Sequence, residues 1–408
     1  MDEQDAITDL EQRLARYSPE HYPIQHATAQ FHLGGLLTGA GRLHEAAAAL
    51  AIASRLFDPE RLPVEHAKAL NALGAVHRLA GDLQRADAAF GRAAALFSDA
   101  GLSLERGAVL HNRGLVCRDR RDDAAAVDYF SQARDLLDPA SAPAEAAAAA
   151  RELGSSLLTT GQQDAAIAVL ESALRLAAGA GDRASRGATA NLLGLCHLPA
   201  GRPADAVEAF QDASASHPRS IRPGEYAMAK ANLALGYEQL AAKDHAWLAA
   251  AQALGTPGSP EPVRVQAGEL LARLGPREGA LLAVLDLEPE RRWPALVRED
   301  LARWVDADPV ERRTAAGAWV DGQVQRRASA VELAEVWLGG LLELPPESMI
   351  AVVRATLEAL AERDSATSES FRAVVARAVV RFHVPQWMRL TETFNTVATE
   401  LGQEASWA

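Results

Sequence analysis

Two cysteines in 408 residues, Cys117 and Cys196, are too few and too far apart to frame a disulfide-stapled fold, and they point to a reducing compartment. Lysine is also scarce: of 41 basic residues only Lys68, Lys230 and Lys243 are not arginine. Basic charge is in deficit along the whole chain, with 24 basic against 31 acidic residues over 1–257 and 17 against 23 over 258–408, for a net charge of −13. That deficit excludes the basic excess on which counterion release from nucleic acid depends. Aromatics make up 5% of the residues against 49% apolar residues in all, a makeup that suits closely packed helices and suits strands poorly. No apolar run approaches the roughly 18 residues of a membrane span. The opening Met1-Asp-Glu-Gln-Asp5 lacks the basic and apolar regions of a signal peptide. These absences predict a cytoplasmic, all-α protein that contacts neither nucleic acid nor membrane, and the Ala, Arg, Gly and Asp load matches the codon bias of a GC-rich bacterium.

What is present is a repeat. A small residue recurs every 40 positions at Gly34, Gly74, Gly114, Gly154, Gly194 and Ala234. Seven residues on stand Gly41, Gly81, Arg121, Gly161, Gly201 and Ala241; twelve on stand Ala46, Ala86, Ala126, Ala166, Ala206 and Ala246; sixteen on stand Leu50, Phe90, Phe130, Leu170, Phe210 and Ala250. Within one period, Ala69, Leu70, Leu73, Gly74 and His77 share one helical face, Gly81-Asp82 supplies a stop and a cap, and Leu83, Ala86, Ala89, Phe90, Ala93 and Leu96 share the face of a second helix. A single hairpin of this kind cannot bury its apolar face, so it must stack on its neighbours.

The pattern resembles the tetratricopeptide repeat over residues 24–255. Leu-Gly stands at 33–34, 73–74, 153–154 and 193–194, Tyr237 takes an aromatic place, Ala precedes Phe by four at 86/90, 126/130 and 206/210, and Pro59, Pro139 and Pro218 lie near repeat ends. The Trp that the family places four residues before the Gly is replaced by Gln30, Leu70, Leu110, Ala150, Ala190 and Lys230, and the period of 40 exceeds the usual 34, as if each helix gained most of a turn. The resemblance implies a right-handed α-solenoid of six helical hairpins. A capping helix precedes it within residues 1–23. After it come a Pro/Gly-rich linker, 256–262, and a separate helical domain, 263–408, which holds six of the seven tryptophans and no lysine.

Chemistry is harder to find. The chain has no phosphate-binding Gly-rich loop ending in Gly-Lys-Ser/Thr, no Gly-x-Ser-x-Gly elbow and no His-Glu-x-x-His helix. His77, His197 and Tyr237 share a repeat position and read as packing residues; His21 and His26 lack metal partners; Cys117 reads as a small hydrophobe; and Arg118-Asp-Arg-Arg-Asp-Asp123 reads as a self-paired helix end or, alternatively, as a local docking patch. No catalytic residue, metal or cofactor is assigned, and an enzyme with its site in 263–408 would have His383 as its only histidine. The expected site is the concave face lined by each first helix. There Asn71, Arg78, His111, Asn112, Arg118, Arg151, Ser155, Asn191 and Asn232 could hold an extended or helical segment of a partner protein, and Arg78, Arg118 and Arg151 suit an acidic one. The function this implies is a non-enzymatic scaffold or adaptor. The alternative is a regulator in which a groove-bound signalling peptide acts on the C-terminal module. A stripe of Trp387, Leu390, Phe394, Val397 and Leu401 reads either as core or as a homodimer seam.

Overall fold

The computed structural model describes residues 3–407, with side chains from residue 5. Residues 1, 2 and 408, the ends of the expected capping and C-terminal segments, lie outside them. Among the described residues every regular element is helical. The chain falls into two compact units, residues 1–196 and 197–408.

The first unit opens on α1 (Glu3–Arg16), whose Ile7 is buried against Leu33 and Leu37. Four hairpins follow: α2 (Pro23–Gly39) with α3 (Leu43–Leu56), α4 (Pro63–Leu79) with α5 (Leu83–Asp99), α6 (Ser103–Asp119) with α7 (Asp123–Leu136), and α8 (Pro143–Thr159) with α9 (Gln163–Gly179). Then comes α10 (Arg183–His197). The sequence register explains each joint. The residue seven after the marker takes the left-handed conformation at Gly41, Gly81 and Gly161, and also at Arg121, with φ of 62°. The next N–H then returns to the first helix, as Asp82 N does to His77 O at 2.8 Å and Asp122 N does to Cys117 O at 2.9 Å, so carbonyls at the helix end are satisfied. Asp82 and Asp122 cap the helices that follow, accepting from Arg85 N and Ala125 N at 3.1 Å each.

The marker glycine lets the hairpin close. A Cβ built on Gly74 would stand 2.8 Å from the Phe90 ring, and one on Gly114 would stand 2.6 Å from the Phe130 ring, so neither position has room for a side chain. Ala46, Ala86, Ala126 and Ala166 are all fully buried.

An alternation the 40-residue reading missed runs through the second helices. They have 14 residues in α3 and α7 but 17 in α5 and α9. The long ones end at left-handed Gly101 and Gly181. The short ones end on extended Phe57 and Leu137, followed by Asp58-Pro59 and Asp138-Pro139, where the proline stops the helix and the aspartate accepts from the turn at Glu60 N and Ala140 N, 3.0 Å each. The true period is a pair of repeats.

The second unit begins with α11 (Pro203–Ser216), α12 (Pro223–Gln239) and α13 (Lys243–Leu254) and continues through α14 (Glu261–Leu274), α15 (Ala280–Leu287), a 3₁₀ turn at Glu290–Arg292, α16 (Trp293–Asp306), α17 (Pro309–Gln325), α18 (Ala330–Glu343), α19 (Pro346–Ala361), α20 (Ser365–Val379) and α21 (Val384–Glu400). The Pro/Gly-rich stretch after α13 is pinned in place. Arg219 donates to Gly255 O at 2.6 Å and to Ala302 O at 3.1 Å and pairs with Asp306 at 2.6 Å, and Thr256 and Ser259 are buried. Beyond it the small-residue grammar gives way to large aromatics. Trp319 stacks on Trp337 with centroids 6.1 Å apart, Phe371 and Phe394 pack edge-on to Trp337, and Trp407 lies 5.0 Å from Phe394. Leu390, Phe394 and Val397 of the α21 stripe are each 2% exposed or less and belong to this core. They are therefore not a homodimer seam, because the chain's own helices cover them.

Candidate partner-binding face

The first helices of consecutive repeats in the first unit, α2, α4, α6 and α8, lie against one another in order. Their common face is polar and half-buried, and its side chains link repeat to repeat. Asn112 Nδ2 donates to Asn71 Oδ1 at 3.0 Å, and Arg78 Nη1 donates to Asp119 Oδ2 at 3.0 Å, both across 41 residues. Across 34 residues, Arg118 donates to Glu152 and Arg151 Nη1 donates to Ser185 Oγ, the latter at 3.0 Å, while Arg151 Nη2 also reaches Glu152 Oε1 at 2.9 Å. Two spacings set by the repeat, one residue more and six fewer than the period, thus carry these links from repeat to repeat.

The structure brings Asn71, Arg78, His111, Asn112, Arg118 and Arg151 together on α4, α6 and α8. Ser155 is half-buried on α8 and Asn191 half-buried on α10. Asn232 belongs to the second unit, where it is 7% exposed and accepts from Gln266 Nε2 of α14 at 3.3 Å. A helix that follows the last repeat covers it, so it lines no open groove. Sequence reasoning also missed the acidic partners. Asp119 and Glu152 set two carboxylates against three arginines, so the expected basic stripe is largely compensated. The signal was available, since Asp119 lies one repeat and one residue beyond Arg78.

Burial alone would raise the Glu152 carboxyl, but Arg118 and Arg151 outweigh it and hold it below the usual carboxylate range. His111 packs against Phe130 with centroids 5.3 Å apart and the rings tilted by 58°, its Nδ1 is buried with no hydrogen-bond partner, and burial pulls its pKa down against the opposing pull of Glu152. Three residues of the charged run after Arg118 are paired within the chain: Asp119 takes Arg78, Arg120 donates to Leu83 O at 2.7 Å, and Asp122 caps α7.

The other candidates are structural in their contacts. His26 Nδ1 meets Tyr17 O at 2.6 Å and His21 Nδ1 meets Ser18 Oγ at 3.0 Å. Among the described residues no group of three His, Cys, Asp or Glu side chains is placed to hold a metal. Burial pushes both thiols up, Cys196 to about 11, which disfavours the thiolate. No described helix is long and apolar enough to cross a membrane.

A tetratricopeptide repeat family model matches residues 65–138 and again 145–218. The chain carries tetratricopeptide repeats. The two matches stand 80 residues apart, so each takes in one long-and-short pair of the alternation described above. No curated protein sequence matches the chain. Solved structures with a similar fold include BtubC (BKLC) from P. vanneervenii, 18% identical over 53% of this chain and 91% of that one with a TM-score of 0.47, and the pilF protein of Pseudomonas aeruginosa, 20% identical over 60% and 97% with a TM-score of 0.47. A third, YrrB, described as a tetratricopeptide repeat protein with an unusual peptide-binding site, is 19% identical over 47% and 87% with a TM-score of 0.35. The repeats make the chain a protein-interaction scaffold in general terms.

Proposed function

We propose that the chain is a non-enzymatic adaptor whose α4–α6–α8 face in the first unit takes up an extended segment of a partner protein. The observation that carries this reading is the contrast between the two sides of each hairpin. Inward positions are closed by Ala, Gly and Phe, whereas the first-helix face keeps Asn, Arg, Ser and His side chains partly exposed and already ordered by one another. An Asn amide offers a donor and an acceptor to a peptide backbone. Ordering it in advance through Asn71–Asn112 lowers the entropy lost on binding. Three arginines over two carboxylates leave one positive charge uncompensated, which favours a partner carrying a carboxylate without demanding an acidic run.

The test is affinity capture of the partner from the native cell followed by calorimetry with the purified pair. Replacing Asn71→Ala together with Arg118→Glu is expected to weaken binding by about tenfold or more, the effect of losing one to two charge-assisted hydrogen bonds. Unchanged affinity would overturn the assignment of this face.

A further inference from the structure

Within the second unit, α20 packs on α17 and α18 while α21 packs on α18 and α19, and a cleft runs between α20 and α21. Leu338 of α18, Val375, Ala376 and Val379 of α20, and Leu390 and Thr391 of α21 line it. The chain turns after α21 at left-handed Gly402 and runs on without regular structure over residues 403–407. Glu404, Ala405 and Ser406 are exposed, but Trp407 is 5% exposed and sits in the cleft. With the indole in place the cleft keeps about 20 Å³ of space, room for about one water.

The segment is held as a peptide ligand is held. Asn395 of α21 spends its amide on the Trp407 main chain: its Oδ1 accepts from Trp407 N at 2.9 Å and its Nδ2 donates to Trp407 O at 3.3 Å. Such a two-way bond takes hold of any backbone, whatever side chain it carries. The indole supplies the anchor, with the Arg372 guanidinium 4.5 Å over its ring and the Phe394 and Phe371 rings 5.0 Å and 6.4 Å away. One buried aromatic on an otherwise exposed backbone is the pattern of short-segment recognition. The segment also has a direction. Gln403 N bonds Ala398 O at 2.8 Å and Trp407 reaches Asn395, so the chain advances toward the start of α21. Ahead of it lie Val384, Trp387 and Met388, exposed, and on the same helical face as Thr391. Residues 403–407 leave this apolar strip uncovered.

We propose that the α20–α21 cleft is an acceptor for a segment of a partner protein that carries a tryptophan followed by apolar residues, and that residues 403–407 fill it in cis as a built-in competitor. The partner's tryptophan takes the place of Trp407, Asn395 clamps its main chain, and the apolar residues after it cover Met388, Trp387 and Val384. Those added contacts are what the cis occupant lacks, and they are the partner's means of displacing it. Until then the attached segment competes at the high effective concentration of an intramolecular ligand.

The experiment is calorimetry with the peptide acetyl-Gln-Glu-Ala-Ser-Trp-Leu-Leu-amide on the full native chain and on full-length Trp407→Ala, whose competitor has lost its anchor. The variant is expected to bind with a Kd of about 100 μM or tighter, and the native chain at least about tenfold more weakly. Adding Asn395→Ala to the variant is expected to weaken the peptide by about tenfold, the worth of the clamp, and to leave binding of 3-methylindole unchanged, since a bare ring has no main chain to clamp. Three results would each overturn the proposal. One is 3-methylindole binding without peptide binding, which marks Trp407 as a core residue whose removal leaves a hole. The others are equal peptide affinity in the native chain and the variant, and peptide affinity unmoved by Asn395→Ala. If Trp407→Ala does not fold, hydrogen exchange on the native chain decides. The Trp407 N–H is expected to exchange at least about tenfold faster than amides in the middle of α19, and faster again with excess peptide. Exchange as slow as in α19, or unchanged by peptide, overturns the proposal. The site lies wholly in the second unit, so its test is independent of the α4–α6–α8 face.

Discussion

The two units solve the same problem with opposite means. In residues 1–196 the helices approach closely because the crossing points are Gly and Ala, and each hairpin is filled by one Phe or Leu such as Phe90, Phe130 or Leu170. In 197–408 the space beyond α14 is filled by Trp304, Trp319, Trp337, Phe371, Phe394 and Trp407, and every tryptophan of the chain lies in this unit. Small residues at fixed intervals place the backbones and so dictate a lattice that repeats. Large rings fit one pocket each, and no interval recurs. The first strategy leaves a grammar that can be read from sequence, whereas the second leaves only a composition.

The sharpest way to break this contrast is at Trp337, which is fully buried and contacts Trp319, Phe371 and Phe394. Trp337→Ala is expected to cost about 3–5 kcal/mol, the usual loss for a buried large aromatic. Because the first unit has no tryptophan, selectively excited tryptophan fluorescence during urea unfolding reports the second unit alone, and circular dichroism reports both. The fluorescence midpoint should fall well below that of the native chain. A loss under about 1 kcal/mol would mean that the aromatic cluster is loosely packed and adaptable.

A smaller effect of opposite sign tests the repeat grammar. Arg121 adopts φ of 62° at the place where Gly41, Gly81 and Gly161 stand in the neighbouring repeats, and a side chain in the left-handed region costs about 1–2 kcal/mol. Arg121→Gly should therefore stabilise the chain by about 1 kcal/mol, read as a raised thermal midpoint by circular dichroism. Ala241, with φ of 57°, is the corresponding position in the second unit. If Arg121→Gly destabilises instead, the arginine side chain makes contacts worth more than the backbone strain.

How much was legible follows from the same contrast. The hairpins, their turns and the buried Ala column follow from the 40-residue register, because each depends on a residue type that few others can replace. The helices of 263–408 could be bounded from their prolines, as at Pro309, Pro345 and Pro385, but not assembled, because helix boundaries say nothing about which rings meet. The candidate face was legible in its positions and not in its electrostatics. Arg78, Arg118 and Arg151 stand where the register puts them, yet Asp119 lies one residue off the register from Arg78 and Glu152 six residues off it from Arg118, and the packing of adjacent first helices brings these two pairs within reach. Asn232 misled for a related reason. The sequence period ends near residue 255, but stacking does not, since α14 lies against α12 and α13 much as α6 lies against α4 and α5.

The smallest expected effect concerns His111, where the half-buried face departs most from a simple polar surface. Its ring faces Glu152, Arg151, Arg118 and Arg78, and burial depresses its pKa in the folded chain. As pH falls through about 6.5, the ordinary histidine value, the unfolded ring takes up a proton before the folded ring does. The unfolded state then binds more protons, so stability falls with decreasing pH from that point until the folded ring also titrates. The Glu152 carboxyl, held low by the arginines, adds a separate loss that begins only as pH falls through the ordinary carboxylate range. His77, also depressed by burial, contributes in the same direction as His111, so the decline does not vanish when one ring is removed. Denaturation midpoints of the native chain and of His111→Gln, measured between pH 7 and pH 5, should therefore diverge at pH 7 by the cost of losing the Phe130 contact and converge on acidification. Parallel curves would mean that the His111 ring is as well solvated as in the unfolded chain, and that the face around it is more open than its burial implies.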